Sequence, residues 1–230
     1  MDHSNEAKSS MGLATLPPIV TIYRQAMRTF DDKFKNEFET NMSKLKGLVD
    51  KVTARDLGFD ERIMSPEFWK TPNKAPCTYI EVLQNDKINM TGAVNIRSFT
   101  EYPLKEVGKV VDFATRAKFE AARVAQGIHK RRRLFAEVAA SQVCSAASGT
   151  CVLTPTISNY HEIQALSLPA AFFDILAPPY DTFIKEVGPR RCKYYQVANE
   201  ISTNVVELQE IDVPKCFHCD QAPYLGPAIV

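Results

Sequence analysis

The sequence predicts an α+β protein: two long amphipathic helices with an inserted β-hairpin, followed by a small α+β head domain. Three observations carry this reading. Apolar residues recur at steps of three or four from Ile19 to Val52, a second helical pattern runs from about Leu104 to Ser145, and beyond Ser148-Gly149 short apolar runs alternate with Pro and Gly.

Residues 1–16, MDHSNEAKSSMGLATL, lack the continuous apolar core of a secretory leader and read as a flexible tail. Pro17-Pro18 then opens the first helix, in a long-helix domain spanning 17–148. Ile19, Tyr23, Met27, Phe30, Phe34, Phe38, Met42, Leu45, Val49 and Val52 fall on one face of a helix of about thirty residues, about 50 Å long. A face that large calls for a long partner, and Phe30, Phe34, Phe38, Met42 and Leu45 are the candidate partner-binding residues. Residues 56–76, rich in Pro and turn formers, read as a connecting loop that packs Phe68 and Trp69 on the core. CTYIEVLQ and INMTGAVNIRSF flank Asn85-Asp86-Lys87, which predicts a β-hairpin near 77–99. Pro103 suits the first turn of the second helix. The head, 149–230, is expected to hold short strands in TCVLTPTI, HEIQALSL, CKYYQVAN and NVVELQEIDV.

Composition narrows the class without naming it. Apolar residues make up 45% of the 230-residue chain and charged residues 24%, as in ordinary globular proteins. No apolar run reaches the roughly 18 residues that a membrane span needs. The six cysteines form no dense disulfide pattern, so reduced thiols in a cytoplasmic setting are expected. The net charge is only +1, but it is sorted along the chain. Between Leu104 and Arg133 nine cations face three acids, a net +6 that leaves −5 for the remainder. On a helix, Lys109, Arg116, Arg123 and Lys130, spaced by seven, share one face. That line, with Arg131 and Arg133, is suited to sequence-independent phosphate contacts, to an acidic protein partner, or to plain solvation.

Chemistry-bearing motifs are sparse. Cys216, His218 and Cys219 form half a zinc site, for which Cys192, Cys144, Cys151 or His161 would have to complete the set. Otherwise no cofactor is expected. His161 beside Glu162 offers a base or an edge histidine. There is no glycine-rich phosphate loop, no Gly-x-Ser-x-Gly elbow and no His-Glu-x-x-His, and no enzyme is predicted.

FEAARV (119–124), KRRRLFAEVAAS (130–141), ASGTCVLTPTI (147–157), HEIQALSLP (161–169) and YYQVANEISTNVVELQEI (194–211) stand in an order that resembles the non-structural protein eight family of coronaviruses and their relatives. The resemblance implies a basic helical shaft leading into an α+β head, with Arg116, Arg123, Lys130 and Arg131 facing RNA. It also implies that the first helix and the head grip a viral polymerase and a small helical co-subunit. The expectation is therefore a non-enzymatic RNA-binding accessory subunit of a viral polymerase complex. The alternatives are a helical scaffold that binds an acidic protein and a capsid or nucleocapsid protein.

Overall fold

In CTYIEVLQ, period-two alternation gives a strand two different faces, and the rest of the fold is arranged on them. The structure, a computed structural model, describes residues 16–59, 65, 75, 77–94, 107–110, 133–155, 160–166, 170–185, 188–214 and 219–229. Strands β1 (Cys77–Gln84) and β2 (Asn89–Val94) pair antiparallel. At the turn between them the Asn85 side-chain oxygen accepts from the Lys87 and Ile88 amides, both at 2.9 Å. This hairpin is not an insert between helices. It is the centre of a four-stranded sheet completed by β5 (Ala171–Leu176) beside β2 and by β10 (Cys219–Ala222), parallel to β1. A second four-stranded sheet runs β3 (Val107–Val110), β4 (Arg133–Val138), β9 (Val205–Ile211) and β8 (Tyr194–Ser202). A small ribbon, β6 (Phe183–Ile184) with β7 (Gly188–Pro189), lies between β5 and β8 in the chain.

The fold is thus a β-rich, cupin-like one, not two long helices with a head. The expected first helix is broken. Its parts are α1 (Pro18–Thr29), a 3-10 segment (Asp32–Glu37) and α2 (Phe38–Val49). The break has a local cause: Asp31 accepts from the Lys33 amide at 3.0 Å and so caps a new segment, and Phe34 leaves helical geometry at φ −111, ψ 17. The chain folds back, and α1 packs on α2 around a polar bolt. Gln25 donates to the Asn41 carbonyl at 3.1 Å, and the Thr29 hydroxyl donates to the Gln25 carbonyl at 2.7 Å. The apolar face meets the chain's own sheet, with no need of a foreign rod: Ile19, Ile22, Ala26 and Leu45 bury against Ile80, Ile88, Met90 and Val94.

The expected second helix is also overturned where the structure describes it. Val107–Val110 and Arg133–Val138 are strands, and no helix follows in 139–155. RLFAEV satisfies period two as well as period 3.6. Leu134 and Ala136 point into an apolar cluster with Val206 and Leu208, and β4 is paired on both sides, which satisfies its backbone groups. Arg116, Arg123, Lys130 and Arg131 lie outside the described residues. Among the described residues no helix is long and apolar enough to cross a membrane.

The helices bear directly on β2. Gly92 lies on the face they cover, and a Cβ there would run into the Phe59 ring. Gly92→Ala is predicted to destabilise the protein by about 1–3 kcal/mol through overpacking. The smaller ring site of Gly92→Ala/Phe59→Leu should recover part of that loss, as read from urea unfolding midpoints.

Candidate active site

The opposite face of the first sheet is where polar and reactive side chains gather. Directly opposed residues share a face, so Tyr79, Ala93 and Phe172 form one row and Glu81, Thr91 and Asp174 the next. Cys77 and Cys219 stand opposite each other at the β1–β10 edge. None of these residues joins the cluster beneath the helices; Cys77, Ala93, Tyr79, Phe172 and Cys219 instead pack together on their own side.

Asp174 is the central group. Its surface is open to solvent, yet protein surrounds it closely enough that burial raises its carboxyl above the usual range. The carboxyl is thus reachable from solvent on a sheet face where neighbouring protein crowds it. His161, the Ile175 amide and Arg190 each pull the pKa back down without offsetting the burial. Arg190 is itself fixed: its guanidinium donates to the Pro178 carbonyl and lies 4.9 Å over the Tyr180 ring. The loop between β5 and β8 is therefore tied down beside the carboxylate. Glu162, next to His161, is pushed up to about 7 by burial alone.

Sulfur and phenol groups continue the site toward the second sheet. The Cys192 thiol hydrogen-bonds with both Tyr180 and Tyr194, whose hydroxyls are raised, chiefly by burial, Tyr194 to about 12. Tyr194 also senses Cys219, which brings the start of β8 to the β10 edge. Cys77 is pushed up to about 12 by burial first and by its hydrogen bond with Cys219 second. Tyr79 is raised by burial, opposed by its hydrogen bond with Thr91.

The residues singled out in the sequence fall elsewhere, with few exceptions. Lys109 lies in β3. Arg133 is committed within the molecule: one guanidinium nitrogen sits 3.2 Å and 3.3 Å from the two carboxylate oxygens of the buried Glu207, which also accepts from Asn199. Phe30 and Phe38 meet at the helix joint with centroids 6.2 Å apart, Phe34 lies under Arg28, Met42 is half-buried, and Leu45 is in the core. Cys216 and His218 lie outside the described residues, and Cys219 faces Cys77. Among the described residues, His161, Glu162, Cys192 and Cys219 are the ones from the sequence that reach the site. Asp174, Tyr180 and Arg190 went unnoticed, although a lone acid inside the apolar run LPAAFFDIL was a usable signal.

The PCO_ADO family model matches residues 89–229, more than half of the chain, and covers β2 through β10. The chain belongs to the PCO_ADO family. The 2-aminoethanethiol dioxygenase of Homo sapiens is 30% identical over 230 aligned residues, covering 84% of this chain and 82% of that protein. The Mus musculus protein of the same name is 29% identical, covering 92% of this chain and 96% of its own length. These matches overturn the resemblance to the viral replicase cofactor, and with it the non-enzymatic RNA-binding role, the RNA and polymerase partners, and the scaffold and capsid alternatives. The resemblance rested on the order of short common segments and on a helix that the described residues do not form.

Dioxygenases of the family are iron metalloenzymes, which corrects the expectation of a chain without a cofactor. The described residues do not fit a complete iron site. A facial non-haem iron centre takes three protein ligands. Among the described residues no group of three His, Cys, Asp or Glu side chains is placed to hold a metal ion.

On the second sheet, the same strand face that carries Tyr194 carries Arg133 and Glu207. Truncating Arg133 leaves a buried carboxylate without its charge partner. Arg133→Met is predicted to cost about 3–5 kcal/mol. Arg133→Met/Glu207→Leu should restore most of it in the same unfolding measurement.

Proposed function

We propose that this chain is a thiol dioxygenase whose substrate is a small thiol carrying a cationic amine. Membership of the family and the names of the two relatives support the reaction class. The single observation that supports the substrate class is Asp174, an accessible carboxyl on a sheet face shared with apolar Ala93 and Phe172. In the overall reaction both atoms of dioxygen end on the substrate sulfur, R–SH + O2 giving R–SO2H. The chain's own residues have definable parts in it. The Asp174 carboxylate pairs with the substrate ammonium. The partly exposed Phe172, packed over the buried Ala93, supplies the apolar surface for a short carbon chain. The Arg190 contacts to Pro178 and Tyr180 hold the loop that borders the carboxylate.

The direct test is oxygen uptake by the full chain supplied with ferrous iron and 2-aminoethanethiol. The expected result is one dioxygen consumed per thiol and a product heavier by two oxygen atoms. Stoichiometric iron with no oxygen uptake on any small thiol would overturn the assignment.

Asp174 also gives the binding step a pH signature. Its pKa is raised, so the carboxylate forms only as pH climbs past the ordinary carboxyl range, and KM for the aminothiol should fall as that ionisation proceeds. Asp174→Asn should flatten this dependence. It should also raise KM by roughly 10- to 150-fold, the equivalent of losing a charged hydrogen bond of about 1.5–3 kcal/mol. A thiol of equal length without the amine should be affected far less.

A further inference from the structure

Cys77 and Cys219 occupy directly paired positions on adjacent parallel strands, one in the middle of the sheet and one at its edge. Adjacent strands run about 4.8 Å apart, and a disulfide spans Cα atoms separated by about 4.4–6.8 Å. The register therefore meets the first geometric demand of a disulfide without backbone movement. The side chains meet the second: both thiols lie on the same sheet face, pack in the same small cluster and hydrogen-bond with each other. Both are free thiols. Their exposure differs, since Cys77 is buried at 7% while Cys219 is half-exposed.

We propose that Cys77 and Cys219 are a peroxide-oxidisable pair that closes into a disulfide on the sheet face that carries Tyr79 and Asp174. The more accessible Cys219 reacts first. Its sulfur attacks the peroxide, an S–O bond forms, the O–O bond breaks, and one water or alcohol leaves, giving a sulfenic acid. The Cys77 sulfur then attacks the Cys219 sulfur, an S–S bond forms, the S–O bond breaks, and water leaves. The two electrons come from the two sulfurs and the peroxide is reduced. The product locks β10 to β1 and replaces two thiols beside Tyr79 and Tyr194, both of which sense Cys219. The pair thus protects Cys219 from irreversible over-oxidation in a site that handles dioxygen.

The test uses the full chain treated with hydrogen peroxide, blocked with N-ethylmaleimide under denaturing conditions, digested and mapped by mass spectrometry. The expected result is a cross-linked peptide pair joining Cys77 to Cys219, lighter by two hydrogens and lost on reduction. In Cys77→Ser and in Cys77→Ala, two variants that guard against a folding failure in either one, Cys219 should be trapped by dimedone as a sulfenic acid or recovered over-oxidised. Recovery of Cys77 fully alkylated from peroxide-treated parent protein would overturn the proposal. So would a Cys219 cross-link to another cysteine in preference to Cys77, or over-oxidation of Cys219 at the same rate in parent and variants.

Discussion

The constraint on which the rest depends is the two-sidedness of the first sheet. Because successive side chains on a strand point to opposite faces, one set of residues in β1, β2 and β5 buries against the helical hairpin. The alternate set, Tyr79, Thr91, Ala93, Phe172 and Asp174, is released to the opposite face. A register slip of one residue would place Met90 and Ile80 on that face and Asp174 beneath the helices. The helices α1 and α2 therefore do more than fill space. By covering one face they fix which face stays polar, and the Lys87–Asp31 ion pair, 2.7 Å long, ties the hairpin turn to the joint between them.

Electrostatics on the Asp174 face follow from this placement. Burial raises Asp174, Glu162, Cys77, Tyr79 and Tyr194 alike, so the site as a whole disfavours negative charge. His161 and Arg190 work against that trend at Asp174, and Arg190 does so at Tyr180 as well. A positively charged ligand end arriving there does the same work, which is why the carboxyl group suits an ammonium better than an anion. Burial, with the hydrogen bond to Cys219, holds the Cys77 thiol protonated, and burial does the same for the Tyr79, Tyr180 and Tyr194 hydroxyls.

Some of this was legible in the sequence. The two runs CTYIEVLQ and INMTGAV, flanking Asn85-Asp86-Lys87, announced β1 and β2, and Pro17-Pro18 announced the start of α1. His161 beside Glu162 stood out as a possible base. The break at Asp31 was less visible, because Phe30, Phe34 and Phe38 continue the helical spacing across it while the side-chain cap that ends it is a single hydrogen bond. The strand at Arg133 was hidden for a related reason. Its apolar residues, Leu134, Phe135 and Ala136, suit a helix as readily as a strand, and only the pairing with β9, some seventy positions later, decides between them. Asp174 could not be connected with His161 or Arg190 from local pattern, since their proximity is a product of strand order.

The account rests on the claim that substrate meets the Asp174 face of the sheet and not the helix-covered face. Methyl chemical-shift mapping under anaerobic conditions reads the two faces separately, because Ala93 lies in the cluster under the Asp174 face and Met90 lies under the helices. On addition of 2-aminoethanethiol the Ala93 methyl resonance should move while Met90 and Ile80 stay in place. Shifts confined to Met90 and to the helix joint around Thr29 and Phe38, with Ala93 unmoved, would contradict the account.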